Sequence, residues 1–503
     1  MRRIPAIVVS LPARTATEAR SQLTEASVAG ADLAEIRFDL WSDVARGEVG
    51  RLFPSALPLV ATVRSRAEGG EGPDDPRERG ELLTRLARYP FRWIDLEADR
   101  DLDLLDQLPS HETLGRILST HYPSGVRPEE WTRRLREPGP SGSVRKVVAW
   151  ARVGTLLTEL LPRLPAPEEN AAIASTTGPS GPLLRAWARR LGQPMVYAAL
   201  PQGPAAANPR PPVEPSQVPV DQLRPYLASD EEVPPLFGLA GHPVAHTRSP
   251  AIHARWMARL HRAGLYVALD FDSESEFVDS LSPLADWGFR GLNVTHPWKA
   301  VAIQAATDVV GGAAICGVAN TLTFRGDSVE AENTDLAAIL RRLEELQRSG
   351  RWDGTSLSVV GAGGASRATL AAARTLGARA TVYARRLPAA EEVASAFGAA
   401  CRGASEAKPD SLVVHATDVG RAGAEPLEIP LDRLLRRGTH VLDWVYAPET
   451  PIVRDLAGAV GATYEDGRRL LVYQAAASFS VWWGEEPSPE ELAATLREEG
   501  CTE

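Results

Sequence analysis

Residues 356–386 read SLSVVGAGGASRATLAAARTLGARATVYARR. An apolar, β-branched run ends at Gly361, an alanine-rich stretch of helical character follows, and a second β-rich run closes the segment. Strand, glycine turn, helix and strand in that order make the βαβ unit whose glycines let backbone approach a pyrophosphate at a helix N-terminus. Gly361, Ala362, Gly363, Gly364, Ala365 and Ser366 are the residues expected to hold it. The second strand ends in Ala384, Arg385 and Arg386, without an acidic side chain to accept hydrogen bonds from a free ribose diol. Arginines there, joined by Arg367, favour a 2′-phosphate through charge-assisted contacts, so the expected cofactor is NADP (NADPH) rather than NAD.

Upstream of this unit the chain divides. Residues 202–219, QGPAAANPRPPVEPSQVP, are dense in proline and alanine, and SDEEVPP follows at 229–235; both read as connectors. Before them, eight short β-rich runs alternate with helix-like segments: PAIVVSL, DLAEIRF, LPLVATVR, RWIDLEA, RILSTH, RKVVAW, AAIAST and PMVYAAL. Eight strands, each with a return segment, suit a (β/α)8 TIM barrel better than an open doubly wound sheet. After Pro235 the pattern restarts with LFGLAG, and the fold class expected is α/β: an N-terminal barrel, then a two-lobed αβ half with a Rossmann domain.

Composition agrees with two globular halves. At 503 residues, 44% hydrophobic and 24% charged, the chain is too long for one core and has the apolar content to bury more than one. Three widely separated cysteines, Cys316, Cys401 and Cys501, oppose a disulfide framework or a thiolate metal cluster and suit a reducing compartment. The opening MRRIPAIVVSLP has an apolar run too short for a signal peptide or a membrane span, and we expect a cytoplasmic protein. A net charge of −10 disfavours nucleic acid and anionic membranes as partners, so an anionic substrate has to be held by a few local Arg or Lys residues.

In a barrel, polar residues at the C-terminal ends of strands face the mouth where ligands bind. Strand two ends in Glu35 and Arg37, strand three in Arg64 with Glu68 beyond, strand five in His121, and strand six carries Lys146 among apolar neighbours. Desolvating such a lysine favours the neutral amine that attacks a carbonyl, and a histidine steadied by a carboxylate suits proton abstraction. Each has a bland alternative: Arg37 with Asp39 or Glu35 as a structural ion pair, His121 as a satisfied barrel histidine, Lys146 as a snorkelling surface lysine.

The segments GADLAEIRFDL, LVATVRSRAEGG, RILSTHYPSGVRP and SVRKVVAWA occur in the order and spacing of type I 3-dehydroquinate dehydratases, and the first half resembles that family. The resemblance implies that Lys146 forms a Schiff base with the substrate ketone and that His121, oriented by Glu68, removes a proton from the adjacent carbon and assists loss of water. It further implies that Glu35, Arg37 and Arg64 line the substrate site, that Arg185 in TTGPSGPLLR binds the carboxylate, and that Gln217 in EPSQ takes the place of the glutamine of a mobile loop. The chain departs from the pattern at Thr177, where methionine is usual, at Val213, where a serine is usual, and in the proline-rich enlargement of the loop.

In the second half, HPVAHTRSP (242–250), GLNVTHPWK (291–299), GVANTL (317–322) and AENTD (331–335) carry the polar residues. Lys299 and Asp335 can pair a proton donor with the carboxylate that holds it, as ketone reduction requires, and neighbouring Asn and Thr side chains suit a polyol. His242 and His246 have a spacing that raises a metal pair, but the intervening proline opposes a helix and no third ligand follows, so no metal is expected. These segments, with VLDWVYAPETP and LLVYQAAASFSVWWG, resemble shikimate dehydrogenases. The resemblance implies Lys299 and Asp335 as catalytic pair and Thr247, Ser249, Asn293, Thr295, Asn320, Tyr446 and Gln474 as substrate contacts. Departures are Thr247 for serine, Ala384 for asparagine and His415 for asparagine.

The expected organisation is a dehydratase barrel at 1–228, a substrate lobe at 235–340, an NADP-binding Rossmann domain at 341–470 and C-terminal helices at 471–503 returning to the substrate lobe. The expected function is consecutive conversion of 3-dehydroquinate to 3-dehydroshikimate and then to shikimate, by a monomer or homodimer whose partners are those small molecules. Two rival readings are a second half that takes quinate as well or instead, and an inactive barrel serving as a binding or regulatory platform.

Overall fold

Short, apolar strands build the first half. The computed structural model describes residues 4–108, 114–166, 172–201, 211–229, 232–245, 247–417, 431–446 and 452–501; His246 therefore lies outside the described residues. Strands β1 (Ala6–Leu11), β2 (Leu33–Arg37), β3 (Leu59–Thr62), β4 (Trp93–Glu97), β5 (Gly115–Tyr122), β6 (Ser143–Trp150), β7 (Ile173–Thr177) and β8 (Met195–Ala198) pair in parallel, in the order β7-β6-β5-β4-β3-β2-β1-β8. All eight runs marked in the sequence are strands, as a chain of alternating β and return segments requires. Val8, Leu33, Val60, Ile117, Ile173, Met195 and Tyr197 cluster as an apolar layer drawn from the strands.

The barrel is nearly rather than fully closed. Among the described residues no backbone ladder joins β7 to β8. Side chains span that seam instead: Gln193 Nε2 donates to Ala174 O at 2.8 Å, and Arg185 donates from Nε to Tyr197 O at 3.2 Å and from a terminal nitrogen to Thr176 O at 2.9 Å.

The return segments are uneven. Thr15 and Asp75 cap the helices Ala16–Val28 and Pro76–Leu86 through side-chain oxygens that accept from first-turn N–H groups. Between β4 and β5 the described residues form only a one-turn 3-10 helix, Leu102–Leu104, where the sequence suggested a helix. Asp99, Asp101, Asp103 and Asp106 crowd that segment, and aspartate is a weak helix former away from an N-terminus.

Arg79, on the second of these helices, is fully buried and donates to Asp101 Oδ1 and Oδ2 at 3.1 and 2.7 Å and to the carbonyls of Val63 and Pro73. Truncating one partner of a buried ion pair strands the other charge. Arg79→Ala is therefore expected to cost about 3–5 kcal/mol, read as a lowered denaturant midpoint for the barrel.

The described chain divides into two compact units, one holding Met1–Pro235, Ala263–Phe271 and Asp279–Gly288, the other Leu236–Arg262, Asp272–Val278 and Phe289–Glu503. Strand β9 (Leu236–Gly241) opens the second; β10 (Leu265–Asp270) groups with the first. In the second unit β11 (Phe289–Val294) runs parallel to β9 and antiparallel to β13 (Thr321–Arg325); β14 (Ser328–Glu332) runs antiparallel to β13 and parallel to β12 (Asp308–Val309). A second sheet, wholly parallel, has the order β17-β16-β15-β18-β19-β20, from β15 (Ser356–Val360), β16 (Arg379–Tyr383), β17 (Ala400–Cys401), β18 (Leu412–His415), β19 (His440–Asp443) and β20 (Thr463–Glu465).

That order reverses direction between β15 and β18, the switch point at which doubly wound sheets bind ligands. Its central strands are apolar: Leu357, Val359, Val382, Leu412, Val414 and Leu442 share one core with Ile339 and Leu343 of the helix Thr334–Arg348. The helix Arg468–Trp483 packs on Thr334–Arg348, on Ser249–Arg259 and on β11 and β13. None of the helices is long and apolar enough to cross a membrane among the described residues.

Candidate active sites

Strand register brings the barrel's polar residues together. Ser119 on β5 lies opposite Lys146 on β6, and His121 opposite Val148, so His121 and Ser119 share a face two residues apart beside the lysine. Lys146 is 5% exposed; its Nζ is 3.2 Å from Asp95 Oδ2, 4.0 Å from Glu35 Oε1 and 3.8 Å from the centroid of the Tyr197 ring. Glu35 accepts from Ser10 Oγ at 2.6 Å and Thr62 Oγ1 at 2.8 Å. The sequence suggested a lysine among apolar neighbours; the structure adds two carboxylates, supplied by other strands.

Glu68 Oε2 accepts from the His121 backbone N–H at 3.1 Å and lies 2.9 Å from His121 Nδ1. Burial, then the positive charges of Arg64 and Lys146, hold His121 well below its ordinary pKa, which favours the neutral imidazole. Burial pushes Glu68 up; Arg64 pulls it down, Glu97 and Asp95 push it up again, and it comes to rest at about 7. Burial also opposes ionisation of Asp95, but Arg64 and Lys146 outweigh it and keep that carboxyl below the usual range.

The three barrel arginines named from the sequence turn donors to protein oxygens. Arg37 makes a bidentate pair with Asp39 at 2.8 and 2.7 Å. Arg64, 4% exposed, reaches Glu68 at 2.9 Å, Glu97 at 3.2 Å, Asp95 at 2.7 Å and Ser119 Oγ at 2.9 Å. Arg185 meets carbonyls and Glu214. Gln217 donates to Ser10 Oγ at 3.0 Å, which places the loop glutamine one hydrogen bond from Glu35. Among the described residues the buried Gln217 Oε1, Tyr197 Oη, Thr120 Oγ1 and Thr176 Oγ1 have no partner, and orphaned polar atoms of this kind call for a hydroxylated ligand or water.

Strand-end reading passed over Asp95, Glu97, Ser119 and Tyr197. A signal for the first two was present: they stand two apart in RWIDLEA, so both fall on one face of β4, and two carboxylates on the inner face of a barrel strand require cations opposite.

In the second unit one cavity of about 400 Å³ is lined by Thr247, Ser249, Asn293, Thr295, Lys299, Asn320, Asp335, Tyr446 and Gln474, together with Ala362, Gly363, Gly364, Ala365 and Arg367. Lys299 begins a helix directly after the turn that leaves β11, and its Nζ donates to Asp335 Oδ2 at 2.6 Å. Asp335 sits in the first turn of Thr334–Arg348, where the helix dipole favours a carboxylate, and its other oxygen accepts from Asn320 Nδ2 at 2.9 Å. Asn320 Oδ1 in turn accepts from the Thr334 N–H at 2.7 Å, so the pair is held from both sides. Asn293 bridges Thr321 Oγ1 and Ser478 Oγ, tying β11 to the helix Arg468–Trp483.

The glycine turn is shaped for a phosphate. Gly361 has φ +122°, and a Cβ there would come 2.5 Å from Ala416 O; Gly363 faces open space. The helix Gly364–Thr375 has no side-chain cap, which leaves its first-turn N–H groups for an anion, and Ser366 Oγ is buried without a partner among the described residues. A Cβ at Gly364 would approach Lys299 Cδ to 3.0 Å, so this turn and the lysine are adjacent. Arg385 and Arg386 are exposed at the end of β16, whereas Arg367 pairs with Glu392 at 2.7 Å. Gly361, Ser366, Arg385 and Arg386 do not line the cavity itself. His415, fully buried, links Asp443 at 2.9 Å to Thr417 at 2.6 Å, and Thr417 lines the cavity.

Comparison with known proteins separates the same two halves. Residues 7–234 match the type I 3-dehydroquinase family and residues 239–322 the shikimate dehydrogenase substrate binding domain. The shikimate dehydrogenase (NADP(+)) of Paracoccus denitrificans is 37% identical over 266 residues, 51% of this chain and 93% of that protein. The shikimate 5-dehydrogenase of Thermus thermophilus, solved in complex with NADP(H) and shikimate, has 30% identity and a TM-score of 0.47, covering 53% of this chain and 99% of that one. The dehydroquinate dehydratase and shikimate dehydrogenase of S. pombe AroM has 23% identity and a TM-score of 0.42, covering 99% of this chain and 98% of that one. A type I 3-dehydroquinase domain occupies the first half of the chain, and through its second half the chain belongs to the shikimate dehydrogenase family.

Proposed function

We propose that Lys146, His121 and Glu68 carry out dehydration of 3-dehydroquinate, and that Lys299 and Asp335 carry out reduction of the resulting 3-dehydroshikimate with NADPH. The chain is a bifunctional shikimate-pathway enzyme, a dehydratase and an NADP-dependent dehydrogenase in one polypeptide. The observation that carries the residue assignment is the placing of a buried lysine and a glutamate-bound histidine on adjacent strands of one unit, and of Lys299 with Asp335 beside a glycine turn in the other.

In the barrel, Lys146 attacks the substrate ketone and expels its oxygen as water, leaving a protonated imine. Glu35 and Asp95 lie where they steady that cation. Nδ1–H of His121 donates to Glu68, which leaves Nε2 to take the proton from the carbon next to the imine; the electron pair moves to the iminium to give an enamine, and as it returns to form the carbon–carbon double bond the hydroxyl of the next carbon departs as water with the proton carried on Nε2. Hydrolysis of the imine then frees Lys146. Because His121 is held below its ordinary value of 6.5 while its partner Glu68 rests at about 7, the acid limb of kcat/KM for dehydration is expected at about pH 7 in the wild type and below pH 6.5 in Glu68→Gln; a variant limb at or above 6.5 overturns the neutral base.

In the second unit Gly361 to Ser366 would hold the pyrophosphate and Arg385 and Arg386 the 2′-phosphate. NADPH supplies the hydride. Lys299 gives the proton to the carbonyl oxygen, and Asp335, fixed by Asn320, keeps Nζ aimed into the cavity. Thr247, Ser249, Asn293, Thr295, Tyr446 and Gln474 bind the ring hydroxyls and carboxylate. No step is assigned to a metal, and we place the enzyme in the cytoplasm. A coupled assay tests the whole reading: the chain with 3-dehydroquinate and NADPH oxidises the nucleotide, and consumption only when 3-dehydroshikimate is supplied would make the barrel a platform instead.

A further inference from the structure

The barrel's loop carries a carboxylate that the proposed reaction does not use. Glu214 stands three residues before Gln217, on the segment that leads into the helix Val220–Ala228. Its Oε2 lies 3.2 Å from a terminal nitrogen of Arg185 and accepts from Ser216 Oγ at 2.5 Å, while Oε1 accepts from the Ser216 N–H at 3.0 Å. Gln217 on the same turn reaches Ser10, so the loop is pinned to the barrel at two points.

Arg185 is 4% exposed. Nε donates to Tyr197 O, and one terminal nitrogen donates to Thr176 O and Gly181 O and also meets Ser216 Oγ. The remaining terminal nitrogen faces Glu214. A guanidinium so tied to carbonyls is rigid and presents one edge to an acid, and in this structure that edge already holds an acid. Burial works against the Arg185 charge, and Glu214 is the negative group that offsets it.

We propose that Glu214 is an internal competitor for the substrate carboxylate: the chain's own loop fills the acid-binding edge of Arg185 until 3-dehydroquinate displaces it, so Glu214 sets the affinity of the dehydratase. The inference rests on the reading of the barrel as a dehydratase that receives its substrate's carboxylate at Arg185. Two carboxylates cannot share this edge cheaply, because one buried cation would then face two like charges. Exchange keeps the local charge balance, with Glu214 moving to water as the substrate enters. Ser216, whose hydroxyl and N–H both donate to Glu214, holds the competitor in its bound form.

The test uses the full chain with Glu214→Gln and Glu214→Ala. Losing a charge-assisted contact changes a binding equilibrium by about tenfold or more, so KM for 3-dehydroquinate is expected to fall, and kcat/KM to rise, by about tenfold in both variants. If Glu214 instead serves to hold Arg185 in place, KM rises; a rise or no change in an enzyme whose wild type turns over overturns the proposal and leaves the dehydratase reading standing. If the wild type neither turns over 3-dehydroquinate nor is trapped on it by borohydride, the dehydratase reading falls, and acetate decides the competitor. Acetate is expected to raise the thermal midpoint of the variants more than that of the wild type, and an equal response overturns the competitor too.

Discussion

Lys146→Ala abolishes NADPH consumption from 3-dehydroquinate and leaves consumption from 3-dehydroshikimate at the wild-type rate. Removing a covalent nucleophile lowers turnover by roughly 10⁴- to 10⁶-fold, since the histidine and carboxylates beside it then act on no imine. The second measurement is chemical: borohydride with 3-dehydroquinate adds mass to the wild type and none to the variant. The fold should survive, because Asp95, which loses its lysine, keeps Arg64 at 2.7 Å and Ser119. Glu35 keeps its two hydroxyl donors, Ser10 and Thr62. Turnover of 3-dehydroquinate by the variant within about tenfold of wild type would remove Lys146 from the mechanism.

Lys299→Ala gives the complementary result. Dehydration proceeds, 3-dehydroshikimate accumulates, and kcat for its reduction falls by about 10²- to 10⁴-fold, the usual contribution of a positioned general acid. NADPH binding, followed by nucleotide fluorescence, is expected to persist, because the glycine turn and the two arginines after β16 are untouched. Asp335→Asn keeps an acceptor for only one of its two donors, Lys299 Nζ and Asn320 Nδ2, and removes the charge that holds Nζ, and its loss is expected to be the smaller of the two. A Lys299→Ala enzyme that keeps its kcat would move the proton source elsewhere in the cavity.

Much of the fold was legible because its signals are local. Eight apolar runs with return segments lead to a parallel barrel, and SLSVVGAGG leads to a strand and a glycine turn at a sheet's switch point, without any long-range knowledge. Two of the pairs named from the sequence meet in the structure: His121 and Glu68 lie 2.9 Å apart, and Lys299 and Asp335 2.6 Å apart. What escaped depends on contacts between strands. Asp95 shares one face of its strand with Glu97, and the register of β4 against β5 and the reach of Lys146 from β6 make it part of the site. Glu214 reads as one more charged residue in a proline-rich loop until Arg185, 29 residues earlier, is found beneath it. The segment after β4 illustrates the opposite error, since the alternation of β-rich runs with helix-like segments suggested a helix where the described residues form only a single 3-10 turn.

The seam between β7 and β8 gives the first unit the character of a rolled ribbon rather than a sealed hoop. In a hoop every strand is zipped on both sides; here β7 and β8 each have one backbone zip and are stapled to one another by Arg185 and Gln193. Amides on these two strands should therefore exchange with solvent water ahead of those on β2 to β5, for the edge of a ribbon frays before its middle. One of the two staples is also the cation that faces the loop's acid. An acid that grips Arg185 thus tightens the staple, and the barrel should feel its ligand as a change in stiffness along its own edge.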